Sequence, residues 1–256
     1  GTQNMLFAGI LEPLQQIIEE SGYVATVYYI DEEANEVAQA RRICTERKPH
    51  GILFLGSNPE YFTPELEALG IPCLLLTNSA ASLRIRNLSS VSVDDMAASD
   101  TMIEYLYKKG HRRIGIIGGL PRLSSTKERI AAYQEAVADC GLPQDDLLIR
   151  YGNSMENSAQ SCLDELLEQK CDALVVAQGL MASETVIYLH KKGFKLGEDI
   201  DLVTFVDYDS DINYLYSKQM DCIIQPVEKL GETAGELILQ RIETPDAPAF
   251  EQVLTS

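Results

Sequence analysis

The sequence predicts an α/β protein of two lobes, each built on a parallel β-sheet. Short runs rich in leucine and β-branched residues alternate with longer helical patterns along the whole chain. Such alternation is typical of right-handed βαβ units. At 256 residues and 45% hydrophobic, the chain can bury a sizeable core. About eight strands would crowd one sheet but fit two smaller ones, so two lobes are expected.

Each strand is predicted from a short apolar run bounded by turn residues, and each helix from a longer periodic stretch. The predicted strands are 23–30, 52–55, 73–76, 91–93, 113–117, 173–177, 202–206 and 222–224. The predicted helices lie near 6–21, 36–48, 96–109, 127–140, 155–169, 181–192 and 227–242. Four helices are followed by a glycine, which commonly closes a helix in the left-handed conformation: Gly22, Gly110, Gly141 and Gly193.

Composition excludes several classes of protein. No apolar run approaches the roughly 18 residues of a membrane span, and the amino terminus lacks the order of a signal peptide. The six cysteines form no C-x-x-C pair and the three histidines are far apart, so we expect a cytoplasmic protein with reduced thiols, no metal and no cofactor. The formal charge of −18 repels phosphate backbones, so the chain alone should not bind nucleic acid.

Common enzyme motifs are also missing from the sequence. There is no G-x-S-x-G elbow, no G-x-x-x-x-G-K-[ST] phosphate loop and no G-x-G-x-x-G fingerprint. The glycines of 115–119 have the wrong spacing for a dinucleotide site and instead favour a tight turn after a strand. We therefore expect a protein that is not an enzyme.

One stretch carries the strongest functional signal. Residues 91–98 and 105–119 predict a strand, an acidic turn, an amphipathic helix, a basic turn and a second strand, in that order. This stretch closely resembles the centre of the ligand-binding core in lactose-repressor-type (LacI/GalR) bacterial transcription regulators. Segments that resemble the same family include the turn at 4–8, the helix start at 124–133, the turn at 193–200 and the segment at 224–231.

The resemblance implies a periplasmic binding protein-like fold of type I, with two Rossmann-like lobes joined by three crossover segments. It implies lobes of residues 1–111 with 226–243 and of 112–225 with 244–256. The implied function is effector sensing: a small polar molecule, a sugar or a derivative, binds in the cleft and modulates operator binding. The resemblance also implies a homodimer that contacts operator DNA only through a headpiece absent from this chain.

Three residues, in two parts of the sequence, form the centre of the candidate site. Asp94 and Asp95 follow a strand whose carboxyl end should face the ligand crevice. The alternative is that one of them caps the next helix, which either could do. Both roles are compatible if Asp94 caps the helix and Asp95 faces the ligand. Arg129 lies in the first turn of a predicted helix, where a cation opposes the helix dipole. The resemblance implies that Arg129 hydrogen-bonds the effector; a salt-bridged surface arginine is the alternative. The fold is expected to depend little on it.

The resemblance adds further candidate ligand-binding residues on both lobes: Phe7, Ser125, Gln178, Asp207 and Gln225. For Gln225 the alternative is a bond to the backbone at the hinge. Other positions depart from the family pattern. Val206 stands where the family has a ligand-binding aspartate, and Asp207, one residue on, should point to the opposite face of an extended segment. Ser154 replaces an aromatic residue, so the family's usual furanose, hexose or purine effectors, such as ribose, galactosides or purines, are not expected to bind well.

Two strands of the family are missing from the pattern, one before residue 4 and one beyond 252–254. Their absence would leave unpaired sheet edges, so we expect the natural protein to be longer. Two alternative functions stay open. One is an exported sugar-binding protein of an uptake system; the other is an α/β enzyme acting on a sugar or nucleotide.

Overall fold

The computed structural model describes residues 3–30, 35–153, 158–206 and 220–255, and it confirms the predicted α/β class. Two separate sheets of parallel strands are present, one of four strands and one of five. The chain forms two compact units, one of Gly1–Val93 with Pro226–Leu254 and one of Asp94–Gln225 with Thr255–Ser256. No helix in the described ranges is long and apolar enough to cross a membrane.

The first unit contains the four-stranded sheet, with strand order β1-β2-β3-β9. Its strands are β1 Ile52–Leu55, β2 Cys73–Leu76, β3 Leu88–Val93 and β9 Glu251–Leu254. Its helices are α1 Gln3–Glu20, α2 Glu36–Arg47 and, near the carboxyl end of the chain, α7 Val227–Glu243. Helices α1 and α7 pack against each other over a core that includes Ile10, Leu74 and Leu230. Gly231 allows their close approach, because a Cβ there would collide with the backbone carbonyl of Ile10.

The strand predicted at 23–30 is wrong: this segment has no regular secondary structure. Strand β1 lies at the edge of its sheet, and 23–30 pairs with no strand among the described residues. Apolar content alone does not make a strand, because the backbone groups need a neighbour to bond. As a result, Val24 is 85% exposed and Tyr29 is 83% exposed. An open groove of about 780 Å³ runs between α1 and Tyr29.

The second unit contains the five-stranded sheet, with strand order β5-β4-β6-β7-β8. Its strands are β4 Ile114–Gly118, β5 Ile149–Tyr151, β6 Ala173–Val176, β7 Asp201–Val206 and β8 Asp221–Ile224. Its helices are α3 Asp95–Lys109, α4 Ser124–Asp139, α5 Ser158–Glu168 and α6 Gly179–Lys191. The predicted start of the fifth helix at Met155 lies outside the described residues.

Helix α3 packs within the second unit, whereas the predicted lobe ranges assigned residues up to 111 to the first lobe. Its buried residues Met102, Ile103 and Leu106 share a core with Ile114 and Ile116 of β4. The chain therefore changes units at Val93–Asp94, before this helix, and again at Gln225–Pro226 and Leu254–Thr255. Strand β9 likewise belongs to the first unit, because Glu251–Leu254 pairs in parallel with β3.

Candidate functional site

The carboxyl ends of the parallel strands in the second unit gather several predicted site residues. Open parallel sheets bind ligands at this edge, because the strand ends and the amino ends of the following helices meet there. Helix α3 begins here directly after the turn that carries Asp94, whose Oδ1 accepts a hydrogen bond of 2.9 Å from the Ala97 amide. Asp94 is thus the helix cap, and the Asp95 carboxylate makes other contacts.

Arg129 is the residue around which this edge is organised. Its Nε lies 3.1 Å from Asp95 Oδ2, its Nη1 donates to the Ala177 carbonyl at 2.5 Å, and its guanidinium carbon lies 4.0 Å from the centre of the Phe205 ring. The side chain is 12% exposed. These three contacts fix the plane of the guanidinium. Its Nη2 has no hydrogen-bond partner among the residues that the structure describes, so donors remain for a ligand.

Contrary to the sequence-based prediction, Arg129 does not lie in the first turn of its helix. Helix α4 begins at Ser124 rather than near Lys127, so Arg129 lies in the second turn. There the opposition between a cation and the helix dipole is weaker, since the dipole acts mainly within the first turn. The ion pair with Asp95 is the better physical account of this arginine.

Gln225 extends the network from Arg129. It is 7% exposed, its backbone amide bonds the Val206 carbonyl at 2.8 Å, and its side-chain Nε2 lies 3.4 Å from Asp95 Oδ1. Both carboxylate oxygens of Asp95 therefore have a donor, from Arg129 on one side and from Gln225 on the other. Asp95 holds the arginine in place.

Two carboxyl groups, those of Asp95 and Glu128, lie near Arg129 at this edge. Burial raises the pKa of the Glu128 carboxyl, the nearby charge of Asp95 raises it further, and Arg129 lowers it. Asp95 forms an ion pair with Arg129, and the charge of Arg129 also acts on Glu128 through space. An anionic ligand would meet an arginine whose charge is already compensated, whereas a neutral polar ligand would meet oriented donors and acceptors.

Gln178 and Ser125 stand at the amino ends of two helices on the same edge. Gln178 precedes α6 and makes no side-chain capping bond; α4, with Ser125 in its first turn, also lacks a side-chain cap. Gly119 follows β4, and a Cβ there would lie 2.8 Å from both Gln178 Nε2 and Thr126 Oγ1. The backbone N–H groups in the first turns of α4 and α6 suit a polar ligand. Because position 119 is a glycine, the side chains of Gln178 and Thr126 can lie close to the backbone there.

Two predictions concern residues that the structure does not describe. Asp207 and Ser154 both lie outside the described residues. Val206, the last residue of β7, is 3% exposed and pairs with Ile224. The candidate role of Asp207 therefore remains a prediction.

The first unit carries a second polar group, again at the carboxyl ends of its strands. The Phe7 ring lies against Gly56, where a Cβ would be 2.6 Å from Phe7 Cζ and the backbone φ is +73°. Ser57 follows and is 6% exposed; Asn78, two residues after β2, is 4% exposed and donates from Nδ2 to the Ser57 carbonyl at 2.9 Å. Phe7 was predicted as a site residue, whereas Ser57 and Asn78 were not.

Glu36, the first residue of α2, joins this group. Burial raises the pKa of its carboxyl, and a hydrogen bond with Ser57 lowers it. Its Oε2 is buried and has no hydrogen-bond partner in the described part of the chain. The sequence did contain a signal for this group, since polar residues follow two predicted strands and Asn35 precedes a helix. Nothing in the sequence shows that the residues after the strands lie close to the start of this helix.

Other chemistry is sparse among the described residues. No group of three or more His, Cys, Asp or Glu side chains there could hold a metal ion. The six cysteines are free thiols. Burial raises the pKa of Cys73 to about 12, and that of Cys171 to about 12 as well, so neither is a ready nucleophile.

Comparison with known proteins gives a consistent picture. Residues 103–256 match the family described as periplasmic binding protein-like domain. The repressor CytR of Escherichia coli K12 is 23% identical over 239 residues, which are 93% of this chain and 69% of CytR. The regulator CelR of Thermobifida fusca is 27% identical over 195 residues, or 75% of this chain and 56% of CelR. A solved structure titled as a complex of transcriptional regulator CelR with cellobiose has a TM-score of 0.84 and 24% identity, covering 98% of this chain and 76% of that one.

Proposed function

Since the chain belongs to the family of periplasmic binding protein-like domains, we propose that it senses an uncharged sugar as the effector of a bacterial transcription regulator. The relatives confirm the resemblance to LacI-type regulators. In such a regulator, the domain with this fold binds the effector.

The oriented guanidinium of Arg129 is the observation that carries it. Asp95, the Ala177 carbonyl and the Phe205 ring hold the guanidinium at the strand ends, with Nη2 left for a ligand. A planar set of donors suits sugar hydroxyls, carboxylates or phosphates, and preorganised polar groups give specificity in ligand sites.

The charge balance supports an uncharged ligand over a phosphorylated one. Asp95 already compensates Arg129, and Glu128 adds a second carboxyl nearby. The formal charge of the whole chain, −18, acts in the same direction. Cellobiose, which the solved CelR structure contains, belongs to the class of ligand that we propose.

The proposed mechanism is a shift between conformations. An effector that binds one arrangement of the protein more tightly populates that arrangement. In a cytoplasmic homodimer, such a shift would change how headpieces reach operator half-sites. We propose the dimer, the headpiece and the DNA contact from the relatives, which are transcription regulators rather than enzymes or uptake proteins.

A ligand screen tests the proposal. Differential scanning fluorimetry with cellobiose, maltose and glucose 6-phosphate should give a stabilising shift with a neutral sugar and none with the phosphate. A ligand at about 100 times its Kd stabilises by roughly 2.7 kcal/mol, which is several degrees. A galactoside, ribose and adenosine form the comparison arm and should bind weakly, because Val206 lacks the carboxylate expected there. A shift with the sugar phosphate alone would contradict the proposed effector class.

A further inference from the structure

We propose that Arg129 meets the effector with one donor atom, Nη2, and that Phe205 is the positioning residue that keeps the guanidinium in this arrangement. The inference rests on the proposed function and names the ligand chemistry that this arginine accepts. That chemistry is a single hydroxyl or ring oxygen of a sugar, and not the paired oxygens of a carboxylate or phosphate. All of the residues concerned lie in the second unit.

The edges of the guanidinium are the first argument. A guanidinium has two edges that can each donate two parallel hydrogen bonds to a carboxylate or phosphate. Nε and Nη2 form one edge, and Nη1 and Nη2 form the other. Asp95 Oδ2 occupies Nε at 3.1 Å, and the Ala177 carbonyl occupies Nη1 at 2.5 Å. Each edge has therefore lost one of its two donors, so a ligand can bond Nη2 but can take neither edge as a pair.

The Phe205 ring is the second argument. Two hydrogen bonds, to Nε and to Nη1, still allow the guanidinium to tilt about the line that joins the two acceptors. The centre of the Phe205 ring lies 4.0 Å from the guanidinium carbon, and Phe205 is 1% exposed in the core that also contains Ile116. A ring held in this way opposes the tilt and favours the stacked cation. The direction of the Nη2 donor is thereby set before a ligand binds.

The simplest alternative is that Arg129 only stabilises the fold as the partner of Asp95. The arginine side chain is 12% exposed, and its Nη2 has no hydrogen-bond partner among the residues that the structure describes. A stabilising ion pair does not require an open donor at the carboxyl ends of parallel strands, where such sheets bind ligands. The open donor and its position together favour a role in binding.

The arrangement selects against anions by geometry as well as by charge. A carboxylate or phosphate gains strength and specificity from the two parallel bonds that it makes with an arginine. One bond to an arginine that Asp95 already neutralises offers it much less. A sugar hydroxyl or ring oxygen needs only one donor, so the occupied edges do not weaken its contact.

The first test separates the occupied edge from the charge of Asp95. Asp95→Asn removes the charge but keeps an oxygen that can accept from Nε, whereas Asp95→Ala also frees the edge formed by Nε and Nη2. In calorimetric titrations, Asp95→Ala should bind inorganic phosphate and D-glucuronate about tenfold more tightly than Asp95→Asn does. Glu128→Gln, which removes a nearby carboxyl and frees no edge, is the control and should resemble Asp95→Asn. Equal anion affinity of the two Asp95 variants would overturn the single-donor arrangement.

The second test follows Arg129 by NMR and needs no ligand. In protein with isotope-labelled arginine, Nη1 and Nη2 of a held guanidinium give separate signals, and rotation averages them. The signals of Arg129, assigned by their loss in Arg129→Lys, should be separate in the natural protein. In Phe205→Leu they should exchange about threefold faster or merge, as expected when a cation–π contact is lost. Ile116→Val, in the same core, is the control and should leave them separate. Unchanged signals in Phe205→Leu would mean that the ring does not position the arginine.

The outcomes separate this inference from the proposed function. Phe205→Leu should weaken cellobiose binding about threefold, but it should have no further effect in the Arg129→Lys background, because an ammonium group has no plane to position. If the natural protein binds no sugar, the proposed effector class is wrong, and the Asp95 variants and the NMR signals still decide the donor arrangement. If the natural protein binds D-glucuronate more tightly than D-glucose, and Arg129→Ala abolishes the difference, this inference is wrong while effector sensing stands.

Discussion

Asp95 and Arg129 form an ion pair of 3.1 Å in which both side chains are largely shielded from solvent, with Arg129 12% and Asp95 15% exposed. The two residues are 34 positions apart in sequence, and the pair joins the start of α3 to α4. Gln225 completes the arrangement from the end of β8. Because the pair is shielded, its two members depend on each other, and replacing one leaves the other poorly solvated.

Arg129→Ala should therefore affect both stability and binding. We expect a loss of about 1–3 kcal/mol in unfolding free energy, because Asp95 loses its cation, together with loss of the ligand-induced thermal shift. This revises the sequence-based expectation that the fold depends little on Arg129. Chemical denaturation of Arg129→Ala, Asp95→Asn and the double variant measures the coupling. The double variant should regain part of the stability but not the binding. A single variant as stable as the natural protein would show that the pair contributes nothing.

Most helices and the buried strands could be predicted from the sequence, because their apolar periodicity reflects local packing. The short strands β5 and β9 were not found, since Ile149–Tyr151 and Glu251–Leu254 are three and four residues long and contain charged residues. The segment 23–30 had the right composition for a strand but lacks a neighbour. Strand formation depends on a partner that no local pattern specifies.

The candidate site was predictable only in part. Asp95, Arg129 and Gln225 were identified through the resemblance, and the structure brings them together. The contact between Glu36 and Ser57 joins residues with no shared motif. Arg241 is a similar case: it is 2% exposed in α7 and donates to the carbonyls of Thr244 and Ala247. A sequence pattern would place such an arginine on the surface.

Gly231→Ala should be strongly destabilising. A Cβ at this position would lie 2.2 Å from the Ile10 carbonyl oxygen and 2.7 Å from Pro13 Cγ. Backbone cannot yield as a flexible side chain can, so α1 and α7 would have to separate. We expect a loss of about 3 kcal/mol, at the upper end for overpacked sites, measured by urea denaturation. Glu236→Ala, an exposed position on the same helix, is the control and should stay within about 0.5 kcal/mol. Equal stability of the two variants would mean that the helices are not packed this closely.

Asp201 should make stability depend on pH in the acid range. Burial raises the pKa of its carboxyl, but hydrogen bonds from Lys109 at 2.7 Å and His111 at 2.5 Å outweigh this, so the net pKa lies below the ordinary value of 3.8. Because the pKa of Asp201 is lower in the folded state than in the unfolded state, its carboxylate stabilises the protein fully at pH values above the unfolded-state pKa. This stabilisation is lost as the pH falls towards the folded-state pKa.

We therefore expect Asp201→Asn to lower the unfolding free energy at pH 7 by about 1–3 kcal/mol. The difference from the natural protein should shrink as pH falls below about 4. Asp100→Asn, at an exposed position of α3, should show no such trend. Denaturation curves from pH 3 to pH 7 measure both variants. A difference that stays constant with pH would mean that the effect does not arise from the charge of Asp201.

Exposed apolar residues in 23–30 should promote self-association of the isolated chain. Val24 and Tyr29 are more than four-fifths exposed, and β1 of the same unit is an edge strand. Open edges and apolar patches favour contact with other chains. The double substitution Val24→Lys with Tyr29→Lys should reduce concentration-dependent association in sedimentation velocity, because it replaces exposed apolar surface with charge. Tyr61→Lys, at a 50% exposed residue of the same unit, is the matched control and should leave association unchanged. If the double variant associates as strongly as the natural protein, the contact lies on another surface, and the unpaired segment is not its cause.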